Sequence, residues 1–219
     1  MKNIFGIFSM VLCLSVLILI GCRKEELNPV PVWGNALQAW GRDPVENDFS
    51  GYLTPFKAAD GTKSTTLRFQ YNAVSPKIKC TKVELYVNYN EAYQDKDGLL
   101  ATATHGGIWR EKRGRLFKSY AGADLKPNRE NFDVIIKPSE IYNLFKDATF
   151  DYGDGKGKVS VFSKKSRTPE KPFNTDDGFE LMWVLYGDDG NVFDNWSNSI
   201  CNGEVIASPA NCFAYWLVE

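Results

Sequence analysis

Hydrophobic and polar positions alternate with a period of two along most of the chain. That spacing predicts strands, because successive side chains of an extended backbone point to opposite faces. The clearest run is Lys82–Tyr89, in which Val83, Leu85, Val87 and Tyr89 alternate with polar positions except at Tyr86. Shorter runs predict strands at Thr66–Tyr71, Phe132–Ile136, Lys158–Phe162, Phe179–Tyr186 and Phe213–Val218. Gly187-Asp188-Asp189-Gly190-Asn191 has the composition of a hairpin turn, so Phe179–Tyr186 and Val192–Trp196 are expected to pair. A second hairpin is expected around Arg113-Gly114, joining Ile108–Glu111 to Arg115–Tyr120. Helical spacing stands out at Pro138–Phe145, with Ser139 as the expected N-cap and Ile141, Leu144 and Phe145 on one face. Many short strands, Gly/Asp/Asn/Pro punctuation and one helix predict an all-β sandwich of antiparallel sheets, with the helix plugging one end.

The N-terminus breaks this pattern. Lys2 is followed by a continuous apolar stretch from Val11 to Ile20, which has the layout of an export signal. The stretch is too short to cross a hydrocarbon core, which needs about 20 apolar residues as a helix. It ends at Gly21-Cys22 and is followed at once by Arg23-Lys24-Glu25-Glu26. Leu19-Ile20-Gly21-Cys22 resembles the lipobox of bacterial lipoproteins, in which a small residue permits cleavage and the following cysteine is acylated. The resemblance implies removal of residues 1–21, a lipid on Cys22 and an outer-membrane anchor. Each buried methylene contributes about 0.8 kcal/mol, and the two or three chains of a lipoprotein cysteine make the anchor effectively permanent. Lys24-Glu25-Glu26 resembles the lysine-plus-acids surface-export signal of Bacteroidota lipoproteins, which favours the cell surface over the periplasmic leaflet. Residues 22–32, with Pro29 and Pro31, read as the lipidated N-terminus and an extended tether. Residues 33–219 read as a single β-sandwich domain.

Composition narrows the partners. The chain has 26 basic and 27 acidic residues, and Lys2 is the one charged residue in the segment to be removed. Such a balance argues against nucleic acid and against a polybasic membrane patch. With 43% hydrophobic and 14% aromatic residues, a folded core is expected. Of five cysteines, Cys13 leaves with the signal and Cys22 takes lipid, so Cys80, Cys201 and Cys212 remain in an oxidising compartment. A Cys201–Cys212 disulfide is the favoured pairing and would contribute about 3 kcal/mol by closing the intervening loop. Cys80 to either of the others stays open as an alternative; if Cys201–Cys212 forms, Cys80 is left as a buried free thiol.

No catalytic constellation is legible. The single histidine, His105, lies in Thr104-His105-Gly106-Gly107 and is read as a loop residue, since neither a GxSxG elbow nor a CxxC zinc spacing accompanies it. Calcium prefers several oxygen ligands, and three acidic turns offer them: Asp95 and Asp97, Asp151 and Asp154, and, ranked third, Asp188-Asp189. None continues into a complete EF-hand loop, and Asp and Gly serve hairpin turns equally well without metal. No cofactor is expected beyond the covalent lipid on Cys22. Trp183 and Trp216 lie on predicted strands and are expected in the core. Trp109 and Trp196, beside glycine- and polar-rich segments, are the candidates to stand exposed and stack on a glycan or another partner.

Three stretches carry a wider resemblance: Phe132–Ile141, Asp177–Leu185 and Asp188–Phe193. A strand, a short Pro-Ser-Glu-Ile helix and a strand-turn-strand with Trp183 look like small Bacteroidota surface lipoproteins associated with starch-utilisation-type (Sus-like) outer-membrane transporters. The resemblance covers about residues 80–219. It implies an immunoglobulin-like sandwich and a non-catalytic role beside an outer-membrane β-barrel and other surface lipoproteins. The alternative expectation is a glycan- or nutrient-binding surface module using Trp109 and Trp196.

Overall fold

The alternating run at Lys82–Tyr89 forms the middle of the longest strand among the described residues. A computed structural model describes residues 37–45, 53–73, 75–107, 114–194 and 213–219, all within the unit Gly34–Glu219. Among these residues the strands are β1 Leu37–Arg42, β2 Thr65–Ala73, β3 Cys80–Gln94, β4 Leu100–His105, β5 Arg115–Ala121, β6 Phe132–Ile136, β7 Thr149–Asp151, β8 Lys158–Ser160, β9 Gly178–Gly187, β10 Val192–Asp194 and β11 Phe213–Leu217. The helix α1 spans Pro138–Phe145. One sheet has the order β1-β2-β6, a second is built on β10-β9-β3-β4, and β7-β8 form a short ribbon. All pairings between these strands are antiparallel. The all-β antiparallel expectation with one short helix therefore holds.

The second sheet is organised by β3 and β9. Along one edge of β3, Lys82–Val87 pair with β5 and Tyr89–Gln94 pair with β4. Along the outer edge of β9, Gly178–Met182 pair with β11 and Val184–Tyr186 with β10. The sheet curls into a half-barrel. Strand β5 can start against β3 because Gly114 has no side chain; a Cβ there would lie 1.9 Å from the Val87 carbonyl oxygen. Of the hairpin expected around Arg113-Gly114, the second arm is β5, and Ile108–Arg113 lie outside the described residues.

The two larger sheets share one core. Val83, Leu85, Val87, Phe179, Leu181, Trp183 and Leu185 meet Leu37, Leu67, Phe69, Val134 and Ile136, all of them at most 1% exposed. The Phe69 ring meets Trp183 edge-on at 5.3 Å, joining the sheets. Trp183 and Trp216 are core residues, as expected. Each large apolar side chain so buried contributes about 1.5–3 kcal/mol.

Local differences from the expected elements have physical causes. Lys158–Phe162 shortens to Lys158–Ser160, and Phe162 has φ 69°, incompatible with an extended strand. The helix has the expected bounds, but its N-cap is Lys137 rather than Ser139, with no side-chain capping bond. Pro138 takes the first helical position, where its missing N–H costs nothing and its fixed φ suits the helix. Ile141 and Phe145 are fully buried, Leu144 only partly, and α1 packs on β3 and β5.

Candidate functional site

Strand β9 accompanies β3 only as far as Asn90, so the backbone of β3 beyond that point needs other partners. Asp177, just before β9, supplies them. Its Oδ1 accepts the Ala92 N–H at 2.8 Å, and its Oδ2 accepts the Asn174 N–H at 2.7 Å and the Tyr89 hydroxyl at 2.6 Å. Arg167 reaches the same place from the irregular segment between β8 and β9. Its Nη2 donates to Asp177 Oδ1 at 2.6 Å and to the Ala92 carbonyl at 3.3 Å. Its Nε donates to Asp177 Oδ2 at 2.9 Å and to Tyr89 Oη at 2.8 Å. Its Nη1 donates to Glu91 Oε1 at 3.1 Å and to the Lys165 carbonyl.

Glu91 extends the cluster. It continues the inward register of Val83, Leu85, Val87 and Tyr89, which makes a carboxylate point into the core. Its Oε2 accepts the Tyr152 hydroxyl at 2.6 Å and faces His105 Nε2 at 2.8 Å. A carboxylate opposite Nε2 places the imidazole proton on that nitrogen. The histidine ring is walled by aromatic side chains, with Phe150 edge-on at 4.8 Å and Tyr89 stacked at 6.2 Å. Glu91 and Asp177 are 0% exposed, His105 4%, Arg167 5% and Tyr152 7%.

Burial and charge fix the protonation of the donors. Burial alone pushes the Arg167 guanidinium toward neutrality, but Asp177, Tyr89 and Glu91 outweigh it and hold the cation more firmly than usual. Burial, reinforced by Asp177, pushes the Tyr89 phenol well above its ordinary range. Burial and then the bond to Glu91 do the same for Tyr152. Both hydroxyls therefore stay protonated and donate. Every oxygen of the two carboxylates has a donor, so the cluster cross-links β3, β4, the β7 region and the segment leading into β9. Breaking a buried ion pair leaves an unpaired charge and costs about 3–5 kcal/mol, whereas a well-packed apolar replacement of the whole cluster would be tolerated.

His105 was expected in a loop. It is instead the last residue of β4 and is buried, because its register opposite Tyr89 turns it inward. Asp95 and Asp97 meet at the β3–β4 turn, where Asp95 Oδ1 accepts the N–H groups of Asp97 and Leu99, each at 2.9 Å, and Asp97 pairs with Lys96. Asp151 and Asp154 occupy the β7–β8 turn. Asp151 accepts the Gly153 N–H at 2.9 Å, and Asp154 accepts the Lys156 N–H at 3.0 Å and pairs with Lys164. Asp188 accepts the Lys79 N–H at 2.9 Å. Among the described residues no three His, Cys, Asp or Glu side chains gather as a metal site. Cys80 carries a free, half-buried thiol whose pKa burial pushes up to about 11. Cys22, Trp109, Trp196, Cys201 and Cys212, with the signal and Lys24-Glu25-Glu26, lie outside the described residues.

Comparison of the chain with protein-family models, with curated proteins and with solved structures returns no match. No helix among the described residues is long and apolar enough to cross a membrane.

Proposed function

We propose that the protein is an outer-membrane-anchored, surface-exposed lipoprotein acting as a non-catalytic accessory subunit of an outer-membrane β-barrel complex of the Sus-like kind. In this reading its β domain is an immunoglobulin-like sandwich that serves as a rigid scaffold. The observation that carries it is the apolar run Val11–Ile20 ending at Gly21-Cys22 and followed by Lys24-Glu25-Glu26. A diacylated or triacylated Cys22 holds the domain at a membrane, where it meets integral barrels. The charged cluster around Arg167 supports a scaffold role, since its groups satisfy one another and offer no vacant donor to a substrate. Leu99 and Leu100, 65% and 68% exposed at the β3–β4 turn, add an apolar projection for a protein neighbour.

Extraction of the full-length protein from its native membrane in mild detergent tests this directly. Wild type is expected to co-purify with a β-barrel protein and to incorporate labelled palmitate, and Cys22→Ser to lose the label and leave the membrane. Recovery of wild type as an acylated lone monomer would sink the accessory role while sparing the anchor.

A further inference from the structure

At the opposite end of β3 from Arg167, a cleft of about 480 Å³ opens between Ser75–Cys80 and the turn before β6. It is lined by the buried Tyr71 and Ile78, by the exposed Pro76, and by the exposed Lys79, Asn128 and Arg129. The size falls in the range of small-molecule sites, which pair an apolar lining with a few placed polar groups.

Both walls are held in place. On one side the turn 126–130 is clamped along β2. The Arg129 N–H donates to the Tyr71 carbonyl at 3.0 Å, the Tyr71 hydroxyl to the Lys126 carbonyl at 2.6 Å and the Ala73 N–H to Asn128 Oδ1 at 2.7 Å. Gln70 Nε2 donates to the Arg129 carbonyl at 2.5 Å. These bonds hold Arg129 at φ 68°, a left-handed conformation that a non-glycine residue rarely adopts. On the other side, Lys79 and Asp188 exchange a reciprocal pair of bonds, Lys79 N–H to Asp188 Oδ1 and Asp188 N–H to the Lys79 carbonyl, both at 2.9 Å.

The side chains so positioned are cations with free donors. Arg129 Nε donates to Asn72 Oδ1 at 2.8 Å, which leaves its two Nη groups outside that bond. Neither those groups nor Lys79 Nζ meets an acceptor among the described residues, although Asp188 and Glu130 lie near the cleft. An arginine whose Nε is occupied presents its Nη edge as a planar two-donor fork, the geometry that a carboxylate matches.

We propose that this cleft binds a small organic carboxylate with an apolar body, its carboxylate on Arg129 and Lys79 and its body on the exposed Pro76. The site is independent of the accessory-subunit reading. Ligand-detected NMR on the full-length protein in non-ionic detergent, against protein-free micelles, tests it with benzoate, its neutral isostere benzamide, and acetate, titrated into the tens of millimolar. Benzoate is expected to bind saturably, with benzamide and acetate each at least about tenfold weaker, since one lacks the charge and the other the body. Arg129→Gln and Lys79→Gln should each weaken benzoate at least about fivefold while the circular dichroism spectrum is retained. Equal binding of benzamide and benzoate, no saturable benzoate binding, or full affinity in the two folded variants would overturn the proposal.

Discussion

The two ends of β3 handle charge in opposite ways. At its C-terminal end, Arg167, Glu91, Asp177 and His105 are buried and turned on one another, and each carboxylate oxygen is occupied. At its N-terminal end, Lys79 and Arg129 stand exposed on pinned backbone with donors to spare. The difference separates two uses of the same residue types. Paired and dry, charges fix which segments lie side by side; exposed on pinned backbone, with no acidic partner among the described residues, they are available to something outside the chain.

The comparison can be broken by substitution, and the largest effect belongs to the closed end. Arg167→Met strands two buried carboxylates, so a loss of about 3–5 kcal/mol in urea unfolding is expected. A loss below about 1 kcal/mol would mean that the carboxylates find other partners or take up protons without penalty. His105→Phe keeps an aromatic ring, a somewhat larger one, but removes one donor from Glu91, which still has Tyr152 and Arg167; about 1–2 kcal/mol is expected in the same assay.

A half-exposed cluster on the outer face of β3 should fall between the two ends. Burial pushes the Glu84 carboxyl up, but bonds from Tyr186, Lys82 and Tyr86 outweigh it and bring the pKa down to about 2. A depressed acid stabilises the fold above its unfolded value near 4.5 and loses that contribution as pH falls toward about 2. Glu84→Gln should therefore cost about 1 kcal/mol at neutral pH after allowance for solvent screening, and the gap to wild type should close between pH 5 and pH 2. A gap independent of pH would show that shape rather than charge matters there. At the open end, Arg129→Gly relieves a left-handed arginine and removes no buried contact, so stability should change by less than about 0.5 kcal/mol while benzoate binding is lost.

The sequence foretold the large-residue strands and missed those built on small ones. Phe132–Ile136 and Pro138–Phe145 have the bounds read from their periodicity. Strands β1 and β4 escaped because their inward positions include Ala39, Gly41, Ala101 and Ala103, too small to register as hydrophobic beats. The closed cluster was half visible. Glu91 breaks an inward run that began at Val83, and an acid at such a position calls for a buried partner. Arg167 and Asp177 could not be matched to it, because the segment between β8 and β9 has no period and its path over β3 is set by tertiary packing. The open cleft was invisible for a similar reason: Lys79 and Arg129 are fifty residues apart and line one cleft through the clamps on β2.

The separation of the two ends is tested most directly by benzoate affinity in two variants, His105→Phe and Arg129→Gln, each confirmed as folded by near-ultraviolet circular dichroism. Affinity should match wild type in His105→Phe and fall at least about fivefold in Arg129→Gln. Lost affinity in the first, or wild-type affinity in the second, would contradict the account.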